Sequence, residues 1–173
     1  MKVQVIRAGN RVQRFHTKEV LRKETVGHHC ANVAGLLVEI YHRAHRTLPP
    51  PVLLTHALFH DSAEQHTGDV PAPAKWGNID LREALHSAEL RFCSDSGIPI
   101  LWMRLSPSEQ QVFRFADAFD CWVFFMEEKR LGNRMVDWIP AKRQMILALE
   151  ALPPSYSNVA YELIEEVESY VCK

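Results

Sequence analysis

Leu53-Leu54-Thr55-His56-Ala57-Leu58-Phe59-His60-Asp61 is the stretch on which the reading of this chain turns. It follows Pro49-Pro50-Pro51, which closes any earlier helix and can open a new one, so a helix is expected to start just after the prolines. Leu53, Leu54, Ala57, Leu58 and Phe59 make that helix apolar nearly all round, which predicts a place in the centre of a helical bundle. It runs straight into His60-Asp61. Aspartate is among the residues least often buried without a partner, so a carboxylate at the end of such a helix needs compensation. A divalent cation would supply it: imidazole nitrogen and carboxylate oxygen suit Zn, Mn, Co or Fe, and adjacent ligands at a helix end can both reach one ion.

Further ligands must then come from other helices. Upstream, Val33, Leu36, Leu37, Ile40 and Tyr41 recur at helical spacing within about 26–46, and His29 lies near the start of that amphipathic helix. Downstream, helical patterns recur at about 79–95, 107–131, 138–151 and 156–171. The one at 107–131 is opened by Ser106-Pro107-Ser108-Glu109, an N-cap, a first-turn proline and a capping-box glutamate. Asp117 sits inside it in the apolar setting Phe113-Arg114-Phe115-Ala116-Asp117-Ala118-Phe119, with Asp120 a weaker alternative one turn on. His29, His60, Asp61 and Asp117 together offer two nitrogens and two oxygens, leaving coordination positions for water and a phosphate oxygen. Thr67 to Pro73, with a glycine and two prolines, reads as a loop. Residues 2–7 and 11–15 alternate around Ala8-Gly9-Asn10 and read as a short hairpin ending on Arg14-Phe15. The expected fold is an all-α helical bundle with a short N-terminal β-hairpin, in one domain spanning 1–173 without internal repeats.

Charge narrows the partners. Twenty basic residues nearly cancel 21 acidic ones, so no global field draws the chain onto a nucleic-acid polymer or an anionic membrane, whereas a small anion needs only a local cluster. Cys30, Cys93, Cys121 and Cys172 form no C-x-x-C pair and read as free thiols in a reducing compartment. No signal-peptide stretch is seen at the N-terminus and no run approaches the roughly 20 apolar residues that span a bilayer, so a cytoplasmic protein is expected. Nine histidines are a further hint of metal chemistry.

Val26-Gly27-His28-His29-Cys30, then Ala57-Leu58-Phe59-His60-Asp61-Ser62-Ala63-Glu64, then Ala116-Asp117-Ala118, resembles the H…HD…D signature of the HD-domain superfamily. The run from His60 to Trp76, with its Thr67-Gly68-Asp69-Val70-Pro71 loop, is similar to the bacterial HD-domain 5′-deoxynucleotidases and the small phage dATP triphosphohydrolases. The likeness covers roughly residues 11–125. It implies metal ligation by His29, His60, Asp61 and Asp117, with Co, Zn or Mn as the ion. It places Glu64 and Asp69 among the acidic residues beside the attacking water, and Arg14 and Lys75 on the phosphate. Phe15 stands where the family often has Trp, against the sugar position at which a ribose 2′-hydroxyl would sit. Independently, Glu64 lies one helical turn past His60 on the same face, within reach of a water at the ion without being a ligand. Arg14 offers a planar fork matched to phosphate.

The implied reaction is hydrolysis of a deoxynucleotide at the α-phosphorus. The compact chain and its Arg-Phe-His-Thr segment point to dATP, giving deoxyadenosine and triphosphate; the alternative is a 5′-deoxynucleotidase releasing phosphate from monophosphates. An alarmone hydrolase is disfavoured because Gln65 follows Glu64 where that family's motif has Asp, and an inactive nucleotide sensor is disfavoured by the intact ligand set. His56 and His60 stand i, i+4, yet Ala57 replaces the glutamate a zincin would carry, so His56 reads as core or as a neighbour of the ligands. Phe113, Phe115, Phe119, Trp122, Phe124 and Phe125 make their helix apolar on more than one face, as at a bundle centre or an oligomer interface, and a homo-oligomer is expected.

Overall fold

A computed structural model describes residues 3–171. Among the described residues nine α-helices follow one another: α1 Val3–Gly9, α2 Val26–His45, α3 Pro51–Phe59, α4 Glu64–Thr67, α5 Ala72–Trp76, α6 Ile79–Ser96, α7 Pro107–Arg130, α8 Ile139–Glu150 and α9 Pro154–Val171. Local chemistry sets most of their ends. Thr25 caps α2 by accepting from the His28 N–H, and the Ser106–Glu109 capping box with Pro107 opens α7. Prolines in the first turn also start α3, α8 and α9, and Gly97 ends α6 in the left-handed conformation.

The long α7 is the spine. Phe115, Phe119 and Trp122 are almost wholly buried, and α2, α8 and α9 pack around them with Val33, Leu37, Met145 and Ala160. The aromatic run is therefore explained by burial within the chain itself and no longer argues for an oligomer. The helix expected at the bundle centre, α3, lies nearer the edge: Leu53 and Ala57 face the core while Leu58 is exposed.

The expected β-hairpin does not form. Residues 3–9 are helix α1; Lys2, the first residue of the expected hairpin, and Cys172 lie outside the described residues. A run of five or six residues is too short for periodicity to separate strand from helix, and here tertiary contacts decide. The Gln65 side chain donates to the Val5 carbonyl, and Gly9 lies against Ser62, where an added Cβ would stand 3.1 Å from the Ser62 carbonyl oxygen. The second half of the expected hairpin pairs elsewhere: Arg14 N–H donates to Glu24 O and Val26 N–H to Val12 O, a single antiparallel bridge centred on Gln13 and Thr25. Gly27 permits the close passage beside it, since a Cβ would stand 2.8 Å from the Asn10 Cβ. The 67–73 segment is likewise only partly loop, α4 ending and α5 beginning inside it.

Glu128, fully buried on α7, brackets the 16–25 segment from behind. Its carboxylate accepts from the Leu21 N–H (2.6 Å), the Arg22 N–H (3.0 Å) and the Asn133 amide (2.8 Å). Burial alone would raise this carboxyl, but the hydrogen bonds from Asn133, Leu21 and Arg22 outweigh it and hold the group below its usual value. A lowered folded value means the stabilisation is complete above the unfolded value near ~4.3 and fades as pH falls through the folded one. Glu128→Ala is expected to cost about 3 kcal/mol in urea unfolding at neutral pH, and less as the pH is lowered below about 4. An unchanged urea midpoint would show that the segment is held by something else.

Candidate metal centre and its cleft

The end of α3, the first turn of α2 and the middle of α7 meet at one point. His29 is wholly buried, and its Nε2 lies 2.9 Å from Asp117 Oδ1 and 3.8 Å from Asp61 Oδ2. His60 Nε2 stands 3.3 Å from His29 Nε2, 3.4 Å from Asp61 Oδ2 and 3.9 Å from Asp117 Oδ1. The other nitrogen of each ring is tied down: His60 Nδ1 to the Ala57 carbonyl at 2.8 Å, His29 Nδ1 to Asp120 Oδ2 at 2.7 Å. A proton on each Nδ1 leaves both Nε2 lone pairs converging.

Two imidazole lone pairs at this distance repel unless positive charge lies between them. The electrostatics make the same demand. Burial disfavours a charged His60, yet the Asp61 carboxylate holds its imidazole well above its usual value. Asp61 is held well below the carboxylate range, burial being overcome by His60, Arg14 and Lys75. Ligands about 2.0–2.2 Å from a first-row ion are separated by roughly 3.0–3.5 Å at neighbouring positions, and the separations here, from 2.9 to 3.9 Å, bracket that range. The donor set and its spacing fit a divalent transition metal held by His29, His60, Asp61 and Asp117. Three of these, His29, His60 and Asp117, bring ligand atoms within 4.8 Å of one another.

Asp61 and Asp117 form the floor of a cleft of about 580 Å³. Arg14, Phe15, Glu64, Asp69 and Lys75 all line it, together with the faces of α7 and α8 that carry Ala118, Ala141 and Ala148. Glu64 is buried with Oε2 lacking any hydrogen-bond partner, and Lys75 Nζ lies 3.7 Å from its Oε1. Burial, with repulsion from Asp61 and Asp69, pushes the Glu64 carboxyl up to about 9. Positive charge at the histidine pair would lower it. Arg14 Nη1 is also buried without a hydrogen-bond partner, 3.8 Å from Glu24 Oε2, so the guanidinium keeps an unused donor. Asp69 does more than shape its own loop: its Oδ2 accepts from the Phe15 N–H at 3.1 Å, fastening the proline loop to a residue whose φ is 55°. Phe15 stacks on Phe124 with ring centroids 4.7 Å apart while also reaching the cleft, so it belongs both to the packed interior and to the cleft wall.

Of the other histidines, His56 lies beside the pair, 6.1 Å between its ring and that of His60, but is not among the residues whose ligand atoms converge. The His56 ring packs on Phe113 at 4.5 Å, and burial followed by His60 pushes it down to about 4. His28, His42 and His45 are exposed. Asp120 is the residue whose place the sequence reading missed: it is buried and grips the far side of His29 instead of competing with Asp117. The only signal in the sequence was its position one helical turn from Asp117. Gln65, which disfavoured the alarmone reading, holds α1 through the Val5 carbonyl.

A helical core with a His, His-Asp, Asp constellation at the floor of a cleft defines an enzyme of the HD-domain phosphohydrolase class. More particularly, the chain belongs to the YfbR-like 5′-deoxynucleotidase family, which matches residues 3–98. Among curated relatives, a 5′-deoxynucleotidase of Vibrio cholerae is 26% identical over 154 residues, covering 80% of this chain and 78% of the relative. One from Shewanella oneidensis is 27% identical over 158 residues, covering 82% and 80%. The fold matches the cyanophage S-2L HD phosphohydrolase DatZ, bound to dA and one catalytic Zn2+ ion, with a TM-score of 0.72, 20% identity and coverage of 99% and 96%. An HD-domain phosphohydrolase from Listeria innocua matches with a TM-score of 0.74, 19% identity and coverage of 98% and 88%. No helix among the described residues is long and apolar enough to cross a membrane.

Proposed function

We propose that the chain hydrolyses 2′-deoxynucleoside 5′-monophosphates to deoxynucleoside and phosphate, as one domain, with His29, His60, Asp61 and Asp117 holding a divalent transition metal. The observation that carries this reading is the convergence of two imidazole nitrogens and two carboxylates at the floor of a cleft whose Arg14 and Glu64 keep unpartnered polar atoms. When bound, such an ion lowers the pKa of a coordinated water from about 15.7 towards roughly 7 and neutralises charge on the phosphoryl oxygens. The family and its curated relatives support the monophosphate over the dATP expected from the sequence.

The chain's own groups divide the remaining work. Arg14 presents its free donor to a phosphoryl oxygen, and Lys75 adds a cation on the same side. Glu64 handles the proton of the attacking water at its unpartnered Oε2; the water oxygen bonds to phosphorus as the bond to the 5′-oxygen breaks, and that oxygen leaves protonated. Asp69 holds Phe15 in place, and Phe15 closes the wall against the sugar. Phe15→Ala is expected to narrow the ratio of deoxy- to ribonucleotide kcat/KM by about tenfold, out of the roughly 10² that a packed wall supplies against an added hydroxyl. An unaltered ratio would assign Phe15 to the core alone.

A second reading, dATP to deoxyadenosine and triphosphate, is favoured by one observation: the cleft extends along α7 to Gln111 and Arg114, with room and charge beyond a single phosphate. Metal-loaded protein incubated separately with dAMP, dATP and AMP, followed by chromatography of products, decides. Cleavage of dAMP with dATP spared supports the monophosphate reading. Triphosphate released from dATP with dAMP spared reverses it, and no cleavage of any substrate moves the protein to the sensor class.

A further inference from the structure

The two candidate histidine ligands are held in different ways. His60 is fixed from within its own turn, Nδ1 donating to the neutral Ala57 carbonyl three residues back. His29 is fixed from another helix by a carboxylate, Asp120 Oδ2 at 2.7 Å, with side-chain exposures of 0% and 7%. Asp117 and Asp120 are three residues apart on α7, an axial rise of about 4.5 Å, and they grip opposite edges of one imidazole: Oδ1 of Asp117 at Nε2, Oδ2 of Asp120 at Nδ1. A single turn of α7 thus brackets the ring. Asp120 cannot share the ion with Asp117, because the Nδ1 edge it contacts points away from the place where the Nε2 atoms meet.

We propose that Asp120 is a positioning residue of the metal centre: it keeps the proton of His29 on Nδ1, orients the ring, and so commits Nε2 to the ion. The role rests on the metal-centre reading above. Three features support it. The contact is short and shielded from solvent, where a charge-assisted hydrogen bond is strong. His29 Nδ1 has no other hydrogen-bond partner, so losing Asp120 leaves a buried N–H unpaired or lets the ring turn over. A carboxylate on the distal nitrogen also raises the basicity of the ligating one, an effect the carbonyl behind His60 gives less strongly. The same carboxyl also meets the Asn32 side chain and faces the charge of Arg14, which help to hold it in place behind the ring.

The test measures zinc affinity by competition with a chromophoric chelator, which needs no turnover. Asp120→Ala is expected to weaken zinc binding by about 10–100-fold. Asp120→Asn, which keeps an acceptor oxygen and loses the charge, is expected to recover part of that loss. Wild-type affinity in both variants would overturn the proposal. A second measurement is independent of how the variants fold: long-range proton–nitrogen spectra of the zinc-loaded wild type should show His29 protonated at Nδ1 and shifted by metal at Nε2. The reverse assignment would overturn the proposal as well. If the wild type itself takes up no zinc, the metal-centre reading falls and the proposal with it, an outcome set apart by the wild-type control.

Discussion

Asp61→Asn is expected to strip the protein of bound metal and of turnover together. Asp61 lies 3.4 Å from His60 Nε2 and 3.8 Å from His29 Nε2, and its charge is what holds a positive partner at the imidazole pair. The amide keeps the volume and loses the charge, so a fall in affinity reports electrostatics and ligation and not packing. Removing a group that merely orients a ligand costs about 10–100-fold in affinity, and removing a ligand should exceed that. Thermal unfolding provides an independent check. An ion bound to the native state stabilises by about 2.7 kcal/mol at a hundred times its Kd, so wild-type Tm should rise on metal addition and drop with chelator. The Asp61→Asn variant should show almost none of this shift. Full metal content with full activity in the variant would sink the assignment of the centre.

The second large effect is expected at Glu64. Glu64→Ala should retain metal and lose roughly 10²–10⁴ in kcat, the usual weight of a positioned proton-transfer group. The reason lies in its surroundings: the carboxyl is buried, its Oε2 has no partner, and its pairing with Lys75 runs through Oε1. A buried carboxylate oxygen left without a partner costs free energy, and at the wall of the cleft that oxygen is free to meet a ligand. Glu64→Gln separates shape from proton transfer, because it preserves the contact with Lys75 but cannot carry the proton; it should be as slow as the alanine variant. Turnover at the wild-type level in either variant would remove Glu64 from the mechanism, and loss of metal in both would recast it as part of the centre.

These effects differ in how far they could be read without coordinates. That His29, His60, Asp61 and Asp117 belong together was visible because each stands on or just past a patterned helix, and helical patterning is a local signal that survives in a linear string. The bounds of α2, α7 and α8 were legible for the same reason, their starts being set by neighbouring residues: the caps Thr25 and Ser106 and the first-turn Pro140. The first fifteen residues were misread because α1 is only seven residues long and has no cap pattern of its own; its helix is selected by contact with Gln65 and Ser62, over fifty residues away.

Side-chain pairings across the chain were invisible in the same way. Asp69 could be seen as a loop aspartate, but not as the acceptor for the Phe15 N–H, a bond between residues 54 positions apart. Glu128 reads as an ordinary acidic residue in the last turns of a long helix until Leu21 and Arg22 arrive at its carboxylate from more than a hundred residues away. Asp120 reads as a spare ligand until the ring of His29 is seen between it and Asp117. By itself, then, the sequence determined which long helices form and which residues can bear metal chemistry, because both depend on spacing along one chain. Only the tertiary structure decided which carboxylate meets which edge of His29, and how Arg14 and Phe15 come to line the cleft, because those outcomes depend on distances between helices that no local pattern encodes.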